Sequence, residues 1–164
     1  MTLNIRVGHG YDVHAFADDR ALVLGGVQVP YERGLAGHSD ADVLIHALCD
    51  ALLGAVALND IGHHFPDHDP QYKNRDSTLF LSHTVQLLKH KGWCVGNVDC
   101  TIMAQEPKIG PYVTAMQQRM AALLLVDQDA VNIKATTTER LGFVGRVEGI
   151  AAEAVVLVTR IAEG

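Results

Sequence analysis

The chain has 164 residues, with 13 Lys and Arg against 19 Asp and Glu, a net charge of -6, and nine histidines. At 48% apolar and 20% charged, it has the composition of one folded domain rather than of a disordered chain. The acidic total, without any basic run, argues against nucleic acid or an anionic membrane as the main partner. No apolar stretch reaches the roughly 18 residues that mark a membrane span. The first 16 residues lack a basic start followed by an apolar stretch, so no signal peptide is expected. Cys49, Cys94 and Cys100 form no CxxC pair and no even disulfide framework, which points to a reducing compartment, the cytoplasm. Cys94 and Cys100 are expected to be core thiols.

Along the chain, residues 4–15 and 21–29 are rich in Val, Ile and Leu, bounded by Gly25-Gly26 and Pro30, and read as strands. Ser39, with Asp42 three residues later, suggests a capping box opening a helix over 39–56. Leu44, Leu48, Ala51, Leu52 and Ala55 make its apolar stripe, and Asp42, His46 and Asp50, four apart, its polar face. Residues 57–75 read as a long functional or mobile loop. A second helix is expected over 76–91, stopped by Gly92. Cys94, Val98, Cys100, Ile102 and Ala104 alternate as a strand. Pro111 opens a third helix, with Met116, Met120 and Leu124 on its apolar face. Val131, Ile133 and Ala135 mark another strand, and residues 150–161 a long final one. The expectation is an α+β sandwich of one domain over 1–164: a single mixed β-sheet with helices packed on one face, in ferredoxin-like topology.

Seven of the nine histidines lie before residue 70, with ten of the 19 acids and only three of the 13 basic residues. Such a division, metal-type ligands in one part and cations in the other, suits a site combining a metal with phosphates. Asp12 and His14, two apart in a strand, share a face and can offer an oxygen and a nitrogen to one ion, with His46 as third ligand. Asp50 would orient His46. His38, Ser39 and Asp40 at a helix start suit an anion, although Ser39 also reads as a plain cap. Asp60, Ile61, Gly62, His63, His64, Phe65, Pro66, Asp67, His68 and Asp69 are too polar for a core loop and suit hydroxyl binding or a flap. Thr136, Thr137, Thr138 and Glu139 end a strand with three hydroxyls and a carboxylate, a combination suited to phosphate and Mg²⁺. Gly142, Gly145 and Gly149 surround Phe143, Arg146 and Glu148, and Lys108 is a loop cation between Pro107 and Gly110. Each motif alone also fits a bland role: a solvated helix face, surface histidines, a Thr-rich strand end.

Taken together, GHGYDVHAF (8–16), GHSDADVLIHALCDALLGA (37–55), DIG (60–62), FPDHD (65–69), NVDCTIMAQEPK (97–108), KATTTERLGF (134–143), GR (145–146) and EGIA (148–151) resemble the 2-C-methyl-D-erythritol 2,4-cyclodiphosphate synthase family. The stretches run in order across most of the chain. The resemblance implies a divalent metal, usually zinc, on Asp12, His14 and His46, and His38 and Thr137 at the reacting phosphates. It implies that Asp60, Gly62, Phe65, Pro66, Asp67, His68 and Asp69 contact the methylerythritol part of the substrate, with Ser39 and Ile61 also among the substrate-binding residues. Ala104, Gln105, Glu106, Pro107, Lys108, Ile109 and Gly110 would form a cytidine pocket. Thr136, Thr137, Thr138 and Glu139 would hold the diphosphate, with Glu139 on Mg²⁺ or Mn²⁺, and Phe143 and Arg146 would complete the site. The implied reaction is attack of the substrate's own 2-phosphate on the β-phosphorus of a cytidine diphosphate group, releasing CMP and a cyclic diphosphate, in a homotrimer with sites between subunits. Glu106 departs from the small residue associated with its position, and the His63-His64 pair is also individual to this chain. Two other classes are weighed against this: a metal-dependent phosphohydrolase using pairs such as His68-Asp69, and a non-catalytic metal-binding protein.

Overall fold

In the computed structural model, which describes residues 4–162, the longest strand is β1 (Ile5–Ala17). Its period of two divides it into two faces. Gly8, Gly10, Asp12, His14 and Phe16 turn inward, while Ile5, Val7, His9, Tyr11 and Val13 are exposed on the opposite side. β1 pairs antiparallel with β7 (Gly149–Arg160), which pairs antiparallel with β5 (Trp93–Met103). β5 runs parallel to β6 (Val131–Thr136), and the short β4 (Gly34–Leu35) extends the other edge, giving the order β4-β1-β7-β5-β6. The result is the mixed α+β sandwich that the sequence leads one to expect, but its topology is not ferredoxin-like: β5 lies parallel to β6, whereas a β-α-β-β-α-β unit pairs all its strands antiparallel. Helices α1 (Val43–Ala55), α3 (Ser77–His90) and α4 (Val113–Leu124) cover one face.

α1 is the centre of the core. It is buried almost all round, Leu44, Leu48 and Leu52 completely, each contributing about 1.5–3 kcal/mol of transfer free energy. Its seat on β1 depends on Gly8 and Gly10. A Cβ on Gly10 would lie 1.9 Å from the Ala47 carbonyl oxygen, and one on Gly8 would lie 1.9 Å from that of Ala51. The helix backbone therefore rests directly on the strand backbone, which only glycine permits.

Several expectations change. The capping residue of α1 is Asp42, not Ser39: its carboxylate accepts from Ile45 N–H at 3.0 Å and from the backbone of Gly25 and Gly26 at 3.0 and 2.7 Å. Asp42 is thus buried, not part of a polar face, because it ties the helix start to a turn. That turn, with Gly25 and Gly26 at φ +58° and +73°, splits residues 21–29 into a separate hairpin of β2 (Leu22–Leu24) and β3 (Val27–Val29). The 57–75 segment is not structureless. It contains α2 (Ile61–His64), capped by Asp60, and a 3₁₀ turn over Pro70–Tyr72. Pro111 sits in a 3₁₀ turn before α4, which starts at Val113. Cys100 is a core thiol as expected, but Cys94 is exposed, because a bulge between Val95 and Asn97 reverses the inward parity of β5.

Candidate metal and phosphate sites

Asp12 and His14 face inward from β1, and His46 reaches them from α1, immediately before the Ala47 carbonyl that rests on Gly10. Asp12 Oδ2 lies 2.9 Å from His14 Nε2 and 3.2 Å from His46 Nδ1, and the two nitrogens are 3.2 Å apart. Nε2 of His14 presents its lone pair to the centre, since Nδ1–H donates to the Ala36 carbonyl at 2.6 Å. Four-coordinate bonds of 2.0–2.1 Å place ligand atoms about 3.3 Å apart, so the triad matches the edge of a tetrahedral site. Facing acceptors need a proton or a cation among them, and a divalent ion fits. Among the described residues this is the one such cluster of His, Cys, Asp or Glu. Burial works against charge on Asp12, but the His14 and His46 imidazoles beside it, when they carry their protons, outweigh it and hold the carboxyl well below its ordinary value. Burial also works against charge on His14, and the Asp12 carboxylate outweighs it, raising the imidazole.

Asp50 does not orient His46. Its carboxylate instead accepts from Ile61 N–H at 2.7 Å, anchoring the start of α2 to α1. The groups beside His46 Nε2 are Ser77 Oγ at 3.1 Å and Ser39 Oγ at 3.3 Å. Ser77 follows an Asp76 cap and reads as an ordinary first-turn helix residue, so local sequence gave no reason to single it out.

The triad opens into a cavity of about 200 Å³. His38, Ser39, Ile61, Gly62, Phe65 and Asp67 line it as the sequence suggests, joined by Gly37, Tyr72 and Phe80, which the sequence reading missed. Phe65 stacks on Phe80 at 4.7 Å between ring centroids, and Tyr72 meets both edge-on, so an aromatic wall closes one side. Both missed rings sit in unremarkable local sequence; Phe80 arrives with α3, which packs on α1, and Tyr72 comes from the Pro70–Tyr72 turn folded against Phe65 and Phe80. Asp60, Pro66, His68 and Asp69 do not line this cavity. Asp60 caps α2 by accepting from His63 N–H, and Asp69 accepts from Gln71 N–H and its amide. His64 Nε2 donates to the Leu58 carbonyl at 2.7 Å, while His63 is exposed.

A second concavity, about 370 Å³, lies at the ends of β5 and β6. Ala104, Gln105, Pro107, Lys108, Ile109, Gly110, Pro111, Thr136 and Thr137 line it. Glu106 is turned away, its carboxylate accepting from the Tyr31 hydroxyl at 3.3 Å, so its charge does not enter. Thr137 Oγ1 accepts from Glu139 N–H, and Glu139 and Arg140, at φ +52° and +63°, form a tight turn pinned by Arg140 N–H donating to Gln105 Oε1. Thr138, Glu139, Phe143 and Arg146 lie outside both concavities, and Arg146 pairs with Glu148 at 3.0 Å on the surface.

The two concavities share no residue. In the strand register, Thr136 stands beside Met103, then Ala151, then Val13. Three strand spacings separate Thr136 from the triad's strand, about 14 Å. Within one chain, Thr137 and His38 are therefore not brought together.

Comparison with known proteins places this geometry in context. The chain matches the YgbB family over residues 5–159. It is 62% identical over 156 residues to the 2-C-methyl-D-erythritol 2,4-cyclodiphosphate synthase of Thiobacillus denitrificans, covering 95% of this chain and 98% of that protein. Its fold superposes on the bifunctional IspDF of Campylobacter jejuni with a TM-score of 0.94 at 43% identity, over 98% of this chain and 43% of that one. A Plasmodium falciparum IspF in complex with CDP gives a TM-score of 0.85 at 31% identity, over 99% and 100% of the two chains. With matches spanning nearly its whole length, the chain belongs to the YgbB family.

Proposed function

We propose that this protein is a cyclodiphosphate synthase, converting 4-diphosphocytidyl-2-C-methyl-D-erythritol 2-phosphate to 2-C-methyl-D-erythritol 2,4-cyclodiphosphate and CMP for isoprenoid precursors. The observation that carries the reading is the convergence of Asp12, His14 and His46 in a cavity bordered by His38 and the 61–67 segment, in a chain whose relatives bear that name. The 2-phosphate oxygen attacks the β-phosphorus; one P–O bond forms, the P–O bond to CMP breaks, and no protein nucleophile takes part. Nucleophile and electrophile are both anions of one flexible molecule, so the protein's work is folding the substrate and offsetting repulsion. Asp12, His14 and His46 would hold a divalent ion, zinc in our reading, which supplies Lewis-acid polarisation of a phosphate oxygen. His38 and Thr137 would stabilise charge at the reacting phosphates. Ser39, Asp60 and the residues from Ile61 to Asp69 would seat the methylerythritol group, and the 104–110 segment would bind cytidine. Thr136 to Glu139 would grip the diphosphate. Glu139 has a single exposed carboxylate, so Mg²⁺ or Mn²⁺ there would take its other ligands from phosphates and water, as Mg²⁺ commonly does. Phe143 and Arg146 would close the site.

Half-sites on strands about 14 Å apart support an assembly in which one copy gives the triad and its neighbour Thr137; that the assembly is a homotrimer is what the family resemblance implies. The open face of β1 and β7 supports assembly too: Val7, Tyr11, Val13 and Val155 are 65%, 47%, 43% and 44% exposed. No helix among the described residues is long and apolar enough to cross a membrane, and we place the enzyme in the cytoplasm. The phosphohydrolase reading finds no placed base: His68 is exposed and Asp69 is engaged by Gln71, both outside the triad's cavity. The test is incubation of the purified protein with the cytidyl substrate and Mg²⁺. Release of CMP with cyclic diphosphate supports the reading, and release of inorganic phosphate overturns it.

A further inference from the structure

Behind His46 runs a hydrogen-bonded chain through buried Ser77 and half-buried Asp40. Ser77 is 0% exposed and is the first residue of α3. Its hydroxyl donates to Asp40 Oδ1, while Asp40 Oδ2 accepts from Ser77 N–H at 3.0 Å. Asp40 Oδ1 also accepts from Asp42 N–H at 3.1 Å, and Asp40's own N–H donates to the Arg75 carbonyl at 3.0 Å. The Asp40 carboxylate can only accept, so it fixes the direction of the Ser77 proton. A serine hydroxyl has one proton. With that proton given to Asp40, Ser77 Oγ presents a lone pair to His46 Nε2, 3.1 Å away. Ser39 Oγ, 3.3 Å from the same nitrogen, accepts from Ala41 N–H and stands 3.5 Å from Ser77 Oγ, which, its own proton given to Asp40, can accept the Ser39 proton.

We infer that Ser77, locked by Asp40, is the positioning residue of the triad: it holds the proton of His46 on Nε2 and so keeps Nδ1 bare toward Asp12 and His14. The inference rests on reading the triad as a metal site. Two devices then orient the two imidazoles. His14 donates from Nδ1 to a backbone carbonyl and ligates through Nε2; His46 donates from Nε2 to a hydroxyl and ligates through Nδ1. The second device is needed because Asp12 Oδ2 lies 3.2 Å from His46 Nδ1 and would otherwise attract the proton to that nitrogen, where it blocks a metal bond. Ser77 also follows directly on the 57–75 segment and its Asp76 cap, and the segment's exit is clipped to the triad's own loop by Asn74 N–H donating to the His38 carbonyl at 2.8 Å. The third ligand therefore leans on the end of the segment that borders the cavity.

The experiment uses the full chain. In metal-free wild type at pH 8.5, the ¹⁵N shifts of His46 are expected to show the Nε2–H tautomer; an Nδ1–H tautomer overturns the inference without any variant. Zinc affinity is then measured by chelator competition for wild type, Ser77→Ala, Ser77→Thr and Asp40→Asn. Ser77→Ala is expected to bind zinc about 10–100-fold more weakly and to move the His46 proton to Nδ1. Ser77→Thr, which keeps the hydroxyl, is expected to restore both readouts. Asp40→Asn is expected to weaken zinc although Ser77 is intact, because an amide at position 40 can donate to Ser77 Oγ and turn its proton toward His46. Unchanged tautomer and zinc affinity within twofold in Ser77→Ala overturn the inference while leaving the metal site standing. Absence of triad-dependent zinc binding in wild type overturns the metal reading itself.

Discussion

Gly10→Ala tests how the fold builds the site. The added Cβ would lie 1.9 Å from the Ala47 carbonyl oxygen and 2.8 Å from Ala51 N, both backbone atoms that no rotamer change can move. Since real Cβ contacts keep beyond 3.0 Å, α1 must withdraw from β1 by more than 1 Å. Overpacking of this kind costs about 1–3 kcal/mol, which for a chain this long lowers Tm by roughly 2–12 °C. The site suffers more. His46 precedes Ala47 on the same turn, so its Nδ1, 3.2 Å from both Asp12 Oδ2 and His14 Nε2, retreats by a similar amount. Two ligands more than about 4 Å apart can hold one ion only in a near-linear arrangement, and a misplacement of about 1 Å commonly costs 10²-fold in rate. Gly54→Ala is the control: the same methyl, on the same helix, meets nothing within 4 Å and should raise stability by up to about 1 kcal/mol. The assay is thermal and urea unfolding together with zinc titration for both variants. Gly10→Ala with wild-type Tm and wild-type zinc affinity would refute the reasoning.

Three further outcomes follow from the same geometry. His46→Ala should lose bound metal and nearly all turnover while keeping its circular dichroism spectrum; full activity in verified metal-free variant protein would contradict the assignment. Burial pushes the Asp42 carboxyl up to about 6, so the folded state holds its proton more tightly than the unfolded chain does. Its contribution to stability therefore falls as pH rises from about 4 to about 6, by at most about 3 kcal/mol, and is flat above. Urea unfolding at pH 4.5 and 7.5 should show that difference shrinking in Asp42→Asn relative to wild type, with the variant less stable at both because an amide cannot accept all three backbone N–H groups. Val7→Asp, on the open sheet face, should shift the sedimentation coefficient toward the monomer and remove turnover without unfolding the chain; an unchanged assembly would count against that face as the subunit contact.

The parts of the site legible in sequence were those encoded locally. Asp12 and His14 share a face because a strand alternates, and His46 could be added because a helix with a Leu stripe has an identifiable other side. What the sequence hid depends on contacts between distant segments. Asp42 and Asp50 look like members of one polar face with His46, yet one caps the helix against the Gly25-Gly26 turn and the other anchors Ile61. Ser77 and Phe80 enter the site only because α3 packs on α1, and Tyr72 only because its turn folds against Phe65 and Phe80. Cys94 was misplaced by a single bulge that reverses strand parity. The glycines at 8 and 10 show no function as letters; their meaning is the distance between two backbones.

The measurement that bears most directly on the central claim is ³¹P NMR of the wild-type protein, loaded with zinc and supplied with Mg²⁺ and the cytidyl substrate, compared with the same protein stripped by chelator. CMP and the cyclic diphosphate are expected to appear in equal amounts, with turnover lost on stripping and restored by zinc. Inorganic phosphate as the product, or equal rates before and after stripping, would contradict the claim.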